Sequence, residues 1–344
     1  MNPEAQALYE EMKTSLGKIV PDVELYYKSE IAVEINRLKK ERNAVILGHN
    51  YMEPVLFHSI PDFRGDSLDL SRKAASTDKD VIVFCGVKFM AETAKILNPS
   101  KTVLLPAQKA GCSLAESITA EDVRALKRKY PGVPVVTYVN TYADVKAESD
   151  ICCTSGNAVA VVESLKTDTV IFLPDQYLAS NVAKETGKHI IFPSAGGVAD
   201  PLLDVQMIGW HGKCEVHDQF TVEDIRTVRE QFPDVVVLTH PECPPEVVAA
   251  SDYSGSTKAM IEYVQKTEAP NFLVLTECAM GDNITAANPE KNLLRLCMVR
   301  CPHMNMITME NVRDALRYNR TLIEIPEEIR VRAFRAVDRM IKIG

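Results

Sequence analysis

Asn43-Ala-Val-Ile-Leu-Gly-His-Asn-Tyr51 is a short apolar run that stops at a polar cluster. That pattern reads as a buried parallel strand. Helical spacing follows from about Ser67 to Ala75. A second strand, Val81-Ile-Val-Phe-Cys-Gly86, a helix from Phe89 to Leu97 and a third strand, Thr102-Val-Leu-Leu-Pro106, complete a unit, with Cys112 just beyond. The order then repeats. Val133 to Asn140 reads as a strand, Tyr142 to Ala147 as a short helix, Asp150 to Ser155 as a strand, and Asn157 to Leu165 as a helix. Thr169-Val-Ile-Phe-Leu-Pro174 resembles Thr102 to Pro106 and is read as its counterpart; a helix and a further strand, His189 to Phe192, precede Cys214. In the third copy, Val235 to His240 is a strand, Pro245 to Ala250 a helix, Thr257 to Gln265 a helix and Phe272 to Thr276 a strand, and Cys301 ends the unit.

Strands alternating with helices at this spacing predict βαβ units and parallel sheets. The expected fold class is α/β, with three similar Rossmann-like α/β/α domains produced by internal triplication. The competing arrangement is one large doubly wound sheet. The expected divisions are 1–115 (N-terminal helices and first domain), 116–215, 216–325, and a closing helix in 326–344. That helix, Glu327 to Ile343, carries Ile329, Val331, Phe334, Val337, Met340 and Ile341 at helical spacing. The segment Pro193 to Ile208 reads as an inserted loop.

The 344 residues are 46% hydrophobic and 25% charged, enough for a large core. The net charge of −8 argues against nucleic acid and anionic membrane as partners. It leaves anionic small molecules open, because helix N-termini make locally positive sites. Met1 to Leu16 contains Glu4, Glu10, Glu11 and Lys13 and does not read as a signal peptide. No apolar run reaches membrane-spanning length, so a cytoplasmic protein is expected.

In open parallel sheets, ligands bind at the carboxyl ends of strands. His49, Asn50 and Tyr51 stand there in the first unit, Tyr138 and Asn140 in the second, and His240 and Glu242 in the third. Gly65-Asp66-Ser67, Thr154-Ser155-Gly156 and Gly255-Ser256-Thr257 each open a predicted helix. Each is an N-cap or an anion cradle, and three facing one centre would suit a ligand with several negative groups. No dinucleotide fingerprint, phosphate-binding loop or nucleophile elbow is present.

Nine cysteines favour metal or redox use over a disulfide framework. Cys112, Cys214 and Cys301 are 102 and 87 residues apart, one per unit. Three thiolates without an obvious fourth would leave a metal or cluster with an open coordination position. A structural zinc would need a fourth ligand such as His217 or His303, while an iron–sulfur cluster could use three thiolates. Spacing does not decide between them. Cys85, Cys152 and Cys153 read as core residues.

Several blocks, in order, resemble the quinolinate synthase family. They are Gly86-Val-Lys-Phe-Met-Ala-Glu-Thr-Ala-Lys-Ile-Leu97, Cys112-Ser-Leu, Tyr138-Val-Asn-Thr141 with Val145-Lys-Ala147, Gly212-Lys-Cys-Glu-Val-His217, His240-Pro-Glu242, Gly255-Ser-Thr257 and Cys301-Pro-His-Met304. The resemblance implies three domains in pseudo-threefold arrangement. It implies condensation of iminoaspartate with dihydroxyacetone phosphate to quinolinate, in the synthesis of the NAD pyridine ring. It also implies a [4Fe–4S] cluster on Cys112, Cys214 and Cys301, with one open iron. Catalytic positions would be His49, Tyr51, His240 and Glu242. Substrate contacts would add Ser67, Tyr138, Asn140, Ser155, His217, Ser256, Thr257 and Met304. Functional coupling to an iminoaspartate-producing enzyme would follow. Some members carry C-x-x-C-x-x-C at the third ligand; Cys297 here is placed differently, which argues against a redox switch. An aconitase-type hydro-lyase, which normally has a close C-x-x-C pair, and a non-catalytic metal-binding module are the rival readings.

Overall fold

Three separate parallel sheets, the first and third of the same strand order and the second with one extra edge strand, organise this chain in a computed structural model that describes residues 3–193, 204–296 and 299–344. The first contains β1 (Ala44–His49), β2 (Phe63–Gly65), β3 (Val81–Cys85) and β4 (Thr102–Leu104), ordered β2-β1-β3-β4. The second contains β5 (Val135–Tyr138), β6 (Ile151–Cys153), β7 (Val170–Leu173), β8 (Ile190–Ile191) and β9 (Met207–Ile208), ordered β6-β5-β7-β9-β8. The third contains β10 (Val236–Thr239), β11 (Tyr253–Ser254), β12 (Asn271–Leu275) and β13 (Asn292–Leu294), ordered β11-β10-β12-β13. Every pairing between these strands is parallel. The α/β class and the triplication are therefore observed, and a single doubly wound sheet is not.

All six residues of β1 and all five of β3 are buried. Helices cover both faces of such a sheet, so both sets of alternating side chains must be apolar. The edge strands β2 and β11 escape the sequence pattern because this rule does not bind them. Phe63 and Arg64 of β2 are exposed, and β11 is two residues long. Their omission shifts the alignment of the repeats. Thr169 to Pro174 forms β7, which occupies the place of β3 beside the first strand; Thr102 to Pro106 forms β4, one strand further out. The likeness of the two segments reflects their shared burial. The counterpart of β4 is β9, inside the segment read as an inserted loop. Residues 194–203 of that segment and Cys297 lie outside the described residues.

The N-terminal helices, Pro3–Leu16 and Asp22–Glu41, pack on each other, and the second also packs against β1 and the helix Met309–Tyr318. The last helix, Glu327–Ile341, closes over β6 and the helices Lys88–Leu97 and Ala143–Ala147. Its buried face is Ala333, Ala336, Val337 and Met340, whereas Val331 and Phe334 are exposed. The two alanines let its backbone approach its neighbours closely, which the apolar spacing alone did not reveal.

A tighter repeat surrounds the three cysteines. Seven residues after each stands a threonine that caps a ten-residue helix: Thr119, Thr221 and Thr308. Each makes a reciprocal capping box with the residue three further on, Asp122, Asp224 or Asn311. Before each cap a buried apolar residue (Ile118, Phe220, Ile307) shares a core cluster with one in the first helical turn (Val123, Ile225, Val312). Cap and staple together fix the angle at which the chain enters the helix. Each cysteine is thus held at a fixed offset from a rigid helix start.

Candidate active site

The carboxyl ends of β1, β5 and β10 bound one cavity, and all three capped cysteines line it. Around Cys112, Cys214 and Cys301 the local geometry is the same. Each precedes a short helical turn: Ser113–Glu116, His217–Gln219 and Met304–Met306. The backbone N–H groups two and three residues on face each sulfur: Leu114 and Ala115 for Cys112, Val216 and His217 for Cys214, His303 and Met304 for Cys301. Two aimed N–H groups stabilise a thiolate. Burial opposes this; it pushes the free thiol of Cys112 up to about 12, that of Cys301 to about 11, and that of Cys214 upward as well. Three thiols with thiolate-oriented donors, in a pocket that penalises bare thiolates, fit a thiophilic metal centre whose positive charge offsets the burial. Cys85, Cys152 and Cys153 lie buried outside this cavity.

Beside the cysteines runs a chain of hydrogen-bonding groups. Tyr51 Oη lies 2.6 Å from Thr276 Oγ1. Thr276 Oγ1 lies 2.9 Å from His217 Nε2. His217 Nδ1 lies 2.6 Å from Glu242 Oε2, although its N–H points off the oxygen and Nδ1 has no aligned partner. Asn140 Nδ2 donates to Glu242 Oε1 at 3.0 Å, and the Tyr138 hydroxyl also bonds this carboxylate. Burial alone would raise the Glu242 carboxyl; His217, His240 and Tyr138 outweigh it and hold the group below the usual carboxylate range. Cys214, His217 and Glu242 offer ligand atoms within 4.8 Å of one another.

His49 and His240 are kept neutral chiefly by burial, with values lowered to about 4 and about 3. The Tyr51 N–H donates to His49 Nδ1 at 3.2 Å, which leaves Nε2 as the protonated nitrogen. The Glu242 N–H faces His240 Nδ1 at 3.4 Å in the same way, so His240 Nε2–H faces Ser155 Oγ at 3.2 Å. Both rings therefore present a neutral N–H donor. Burial also raises the Tyr51 and Tyr138 hydroxyls far above the ordinary phenol value.

Ser67, Ser155 and Thr257 line the cavity. Ser256 does not: its hydroxyl accepts from Ala259 N and faces Asp66, so it caps its own helix. The Thr257 hydroxyl accepts from Asn50 Nδ2 at 2.9 Å, which leaves its proton for a ligand. Met304 lines the cavity and is buried. Behind Asn140, the fully buried Lys146 donates to the carbonyls of Val139 and Thr141, and Glu92 accepts from Ala143 N at 2.8 Å. These bonds fix the loop that carries Asn140.

Thr276 was not singled out from the sequence. It directly follows β12, so the strand-end rule that flagged His49 and Tyr138 applies to it as well. Glu277 was also missed; it caps the helix Cys278–Ala287 and its Oε1 faces the Cys301 N–H at 3.4 Å.

Comparison with known proteins points to one family. A family model described as quinolinate synthetase A protein matches residues 33–342. The chain is 52% identical over 343 residues to quinolinate synthase 2 of Mesorhizobium japonicum, spanning 100% of this chain and 99% of that protein. It is 51% identical over 339 residues to quinolinate synthase of Agrobacterium fabrum, spanning 98% and 92%. It is 54% identical over 309 residues to quinolinate synthase of Xylella fastidiosa, spanning 90% and 86%. No helix among the described residues is long and apolar enough to cross a membrane.

Proposed function

The chain belongs to the quinolinate synthetase A family, and from that premise we propose that it condenses iminoaspartate with dihydroxyacetone phosphate to quinolinate, releasing phosphate and water. The reaction would take place in the cytoplasm, in the synthesis of the NAD pyridine ring, and beside an enzyme that produces the short-lived imine. The observation that carries this reading is the convergence of three equivalent cysteines, one per sheet unit, on a cavity lined by acid–base groups. Cys112, Cys214 and Cys301 would hold a [4Fe–4S] cluster with one open iron. When bound, that iron supplies a Lewis acid for loss of hydroxide.

The substrates bring two carboxylates and a phosphate. Ser67 and Thr257 offer hydroxyl groups at helix starts, where backbone N–H groups and the helix dipole favour anions, and Ser155 offers one from a turn, because the helix expected to open at 154–156 begins only at Ala158. His49 and His240 add neutral N–H donors without adding a second fixed charge. Thr257→Val would remove one anion-facing hydroxyl and leave Asn50 Nδ2 without its acceptor. Substrate binding is expected to weaken by about 1–3 kcal/mol. Isothermal titration with dihydroxyacetone phosphate under anaerobic conditions reads this, and an unchanged affinity would remove Thr257 from the site.

Proton movement follows the hydrogen-bond chain. Tyr51 O–H donates to Thr276 Oγ1, Thr276 O–H donates to His217 Nε2, and His217 Nδ1–H faces the Glu242 carboxylate. As a substrate proton reaches Tyr51 Oη, one step along the chain leaves Tyr51 as phenol, His217 in its other tautomer and Glu242 protonated, with no net charge created. Small rotations align the His217–Glu242 contact. Thr276→Val would interrupt the chain while keeping the side-chain shape. Turnover is expected to fall roughly 10- to 100-fold with iron content unchanged. Turnover equal to the unsubstituted enzyme would show that protons bypass Thr276.

The proposed reaction is tested by anaerobic incubation of the purified protein with both substrates. Equimolar quinolinate and phosphate are expected. Phosphate release without quinolinate, or no turnover by iron-replete protein, would contradict the proposal.

A further inference from the structure

Two helices begin at the cavity, Ser67–Ser76 from the first unit and Thr257–Lys266 from the third, and the second unit reaches it with Thr154 and Ser155, in the turn that precedes the helix Ala158–Ser164. Two of the three junctions between the units at this rim are made directly. The first and third helices are joined by Asp66 with Ser256 and by Lys258 with Asp69 at 2.9 Å. The second and third units meet through Ser155, in the turn before Ala158–Ser164, and His240, just beyond β10, at 3.2 Å. The first and second are joined differently, through the main chain of residues 340–344.

Asn157 forms this link. It is 3% exposed and uses its full hydrogen-bonding capacity. Its Oδ1 accepts from Thr154 N at 2.7 Å and from Thr154 Oγ1 at 3.1 Å. Its Nδ2 donates to the carbonyls of Met340 at 3.1 Å and Ile343 at 2.9 Å. From the first unit, Arg72 donates to the same segment: Nε to Ile341 O at 2.9 Å, and Nη2 to Ile343 O at 3.1 Å and Gly344 O at 2.7 Å. Ile343 O is gripped from both sides. Arg72 lies on the helix that Ser67 opens, and Asn157 holds the turn that presents Ser155.

We propose that Asn157 and Arg72 are positioning residues that clamp the carbonyls of residues 340–344 and thereby fix the spacing of Ser67 and Ser155 across the cavity. Neither residue lines the cavity. Their effect on the reaction therefore passes through the two serines, and this part rests on the anion-binding reading above. A buried asparagine that faces carbonyls on one side and a donor pair on the other has one productive orientation, which gives the clamp its precision.

Asn157→Asp separates the two halves of the link. The carboxylate still accepts from Thr154, but its second oxygen now faces the Met340 and Ile343 carbonyls and repels them. Hydrogen exchange read by mass spectrometry on the metal-replete protein should quicken at 154–158 and at 340–343. The KM for dihydroxyacetone phosphate should rise roughly tenfold while kcat stays within about twofold, the pattern of lost ground-state binding. Arg72→Met removes the grip from the first unit and leaves the Thr154 turn untouched. It should raise KM in the same direction, and it carries the test if Asn157→Asp does not fold. Unchanged exchange and unchanged KM in the folded variants would overturn the proposal. Faster exchange with unchanged KM would overturn it as well, because the clamp would then be structural only. The exchange measurement does not depend on which reaction the enzyme catalyses, so a failure of the proposed reaction is distinguishable from a failure of the clamp.

Discussion

Cys214→Ser is expected to leave the chain without a stable metal centre and without activity, while Cys85→Ser and Cys152→Ser keep both. Serine is close in size to cysteine, so the cavity keeps its shape. Its alcohol does not ionise near neutral pH and is a poor partner for a thiophilic metal. The two N–H groups from Val216 and His217 would then face a neutral oxygen instead of a metal-bound thiolate. The same outcome is expected for Cys112→Ser and Cys301→Ser, because the three positions share one local geometry. Cys85 and Cys152 are fully buried away from the cavity, so the hydroxyl introduced there costs core stability and leaves the cavity unchanged. Iron analysis after anaerobic purification reads the difference. Full iron retention in Cys214→Ser would remove that residue from the ligand set.

Glu242→Gln is expected to keep the metal and lose roughly 100-fold or more in turnover. The amide can still accept from Asn140 at Oε1, so the loop beyond β5 stays in place. The other end changes. An amide N–H₂ facing His217 Nδ1 forces that nitrogen to accept, which moves the ring proton to Nε2. Thr276 must then accept from His217 where it previously donated, so its own proton no longer points toward His217 and no proton can pass from Tyr51 toward residue 242. One substitution removes the titrating group and reverses the polarity of the chain that feeds it. Glu242 is 3% exposed, so water does not readily replace it. Turnover and pH profile equal to those of the unsubstituted enzyme would show that Glu242 only orients its neighbours.

Much of the architecture was legible because the central strands are buried on both faces. Val81 to Cys85 and Phe272 to Leu275 have little freedom to be anything but apolar, and their spacing exposes the repeat. The edge strands carry no such constraint, so Phe63–Gly65 and Tyr253–Ser254 were invisible and the repeats were aligned one strand out of step. A better alignment was available from another signal. Thr-x-Glu-Asp at 119 and 221 and Thr-x-Glu-Asn at 308 follow the three cysteines at constant distance. That is a capping pattern rather than a hydrophobic one, and it places the cysteines in register without any strand.

The site was legible in proportion to how directly each residue follows a central strand. His49, Tyr138 and His240 stand at or just beyond the ends of β1, β5 and β10. The helix-opening triplets were visible as small hydroxylic residues, but which hydroxyl faces the cavity was not. Ser256 and Thr257 are adjacent, and only the geometry shows that the first caps its helix while the second lines the cavity. Thr276 has an unremarkable sequence context, and its importance comes from two partners, Tyr51 and His217, that lie 225 and 59 residues away in the chain. Contacts of that kind arise when separate units pack together and leave no local trace.

Three equivalent thiols, one from each sheet unit, would hold one iron–sulfur centre in this cavity. The most direct measurement is iron, zinc and acid-labile sulfide per chain in anaerobically purified protein. The account predicts about four irons and four sulfides with negligible zinc, as one [4Fe–4S] cluster requires. One zinc per chain with no sulfide would contradict it.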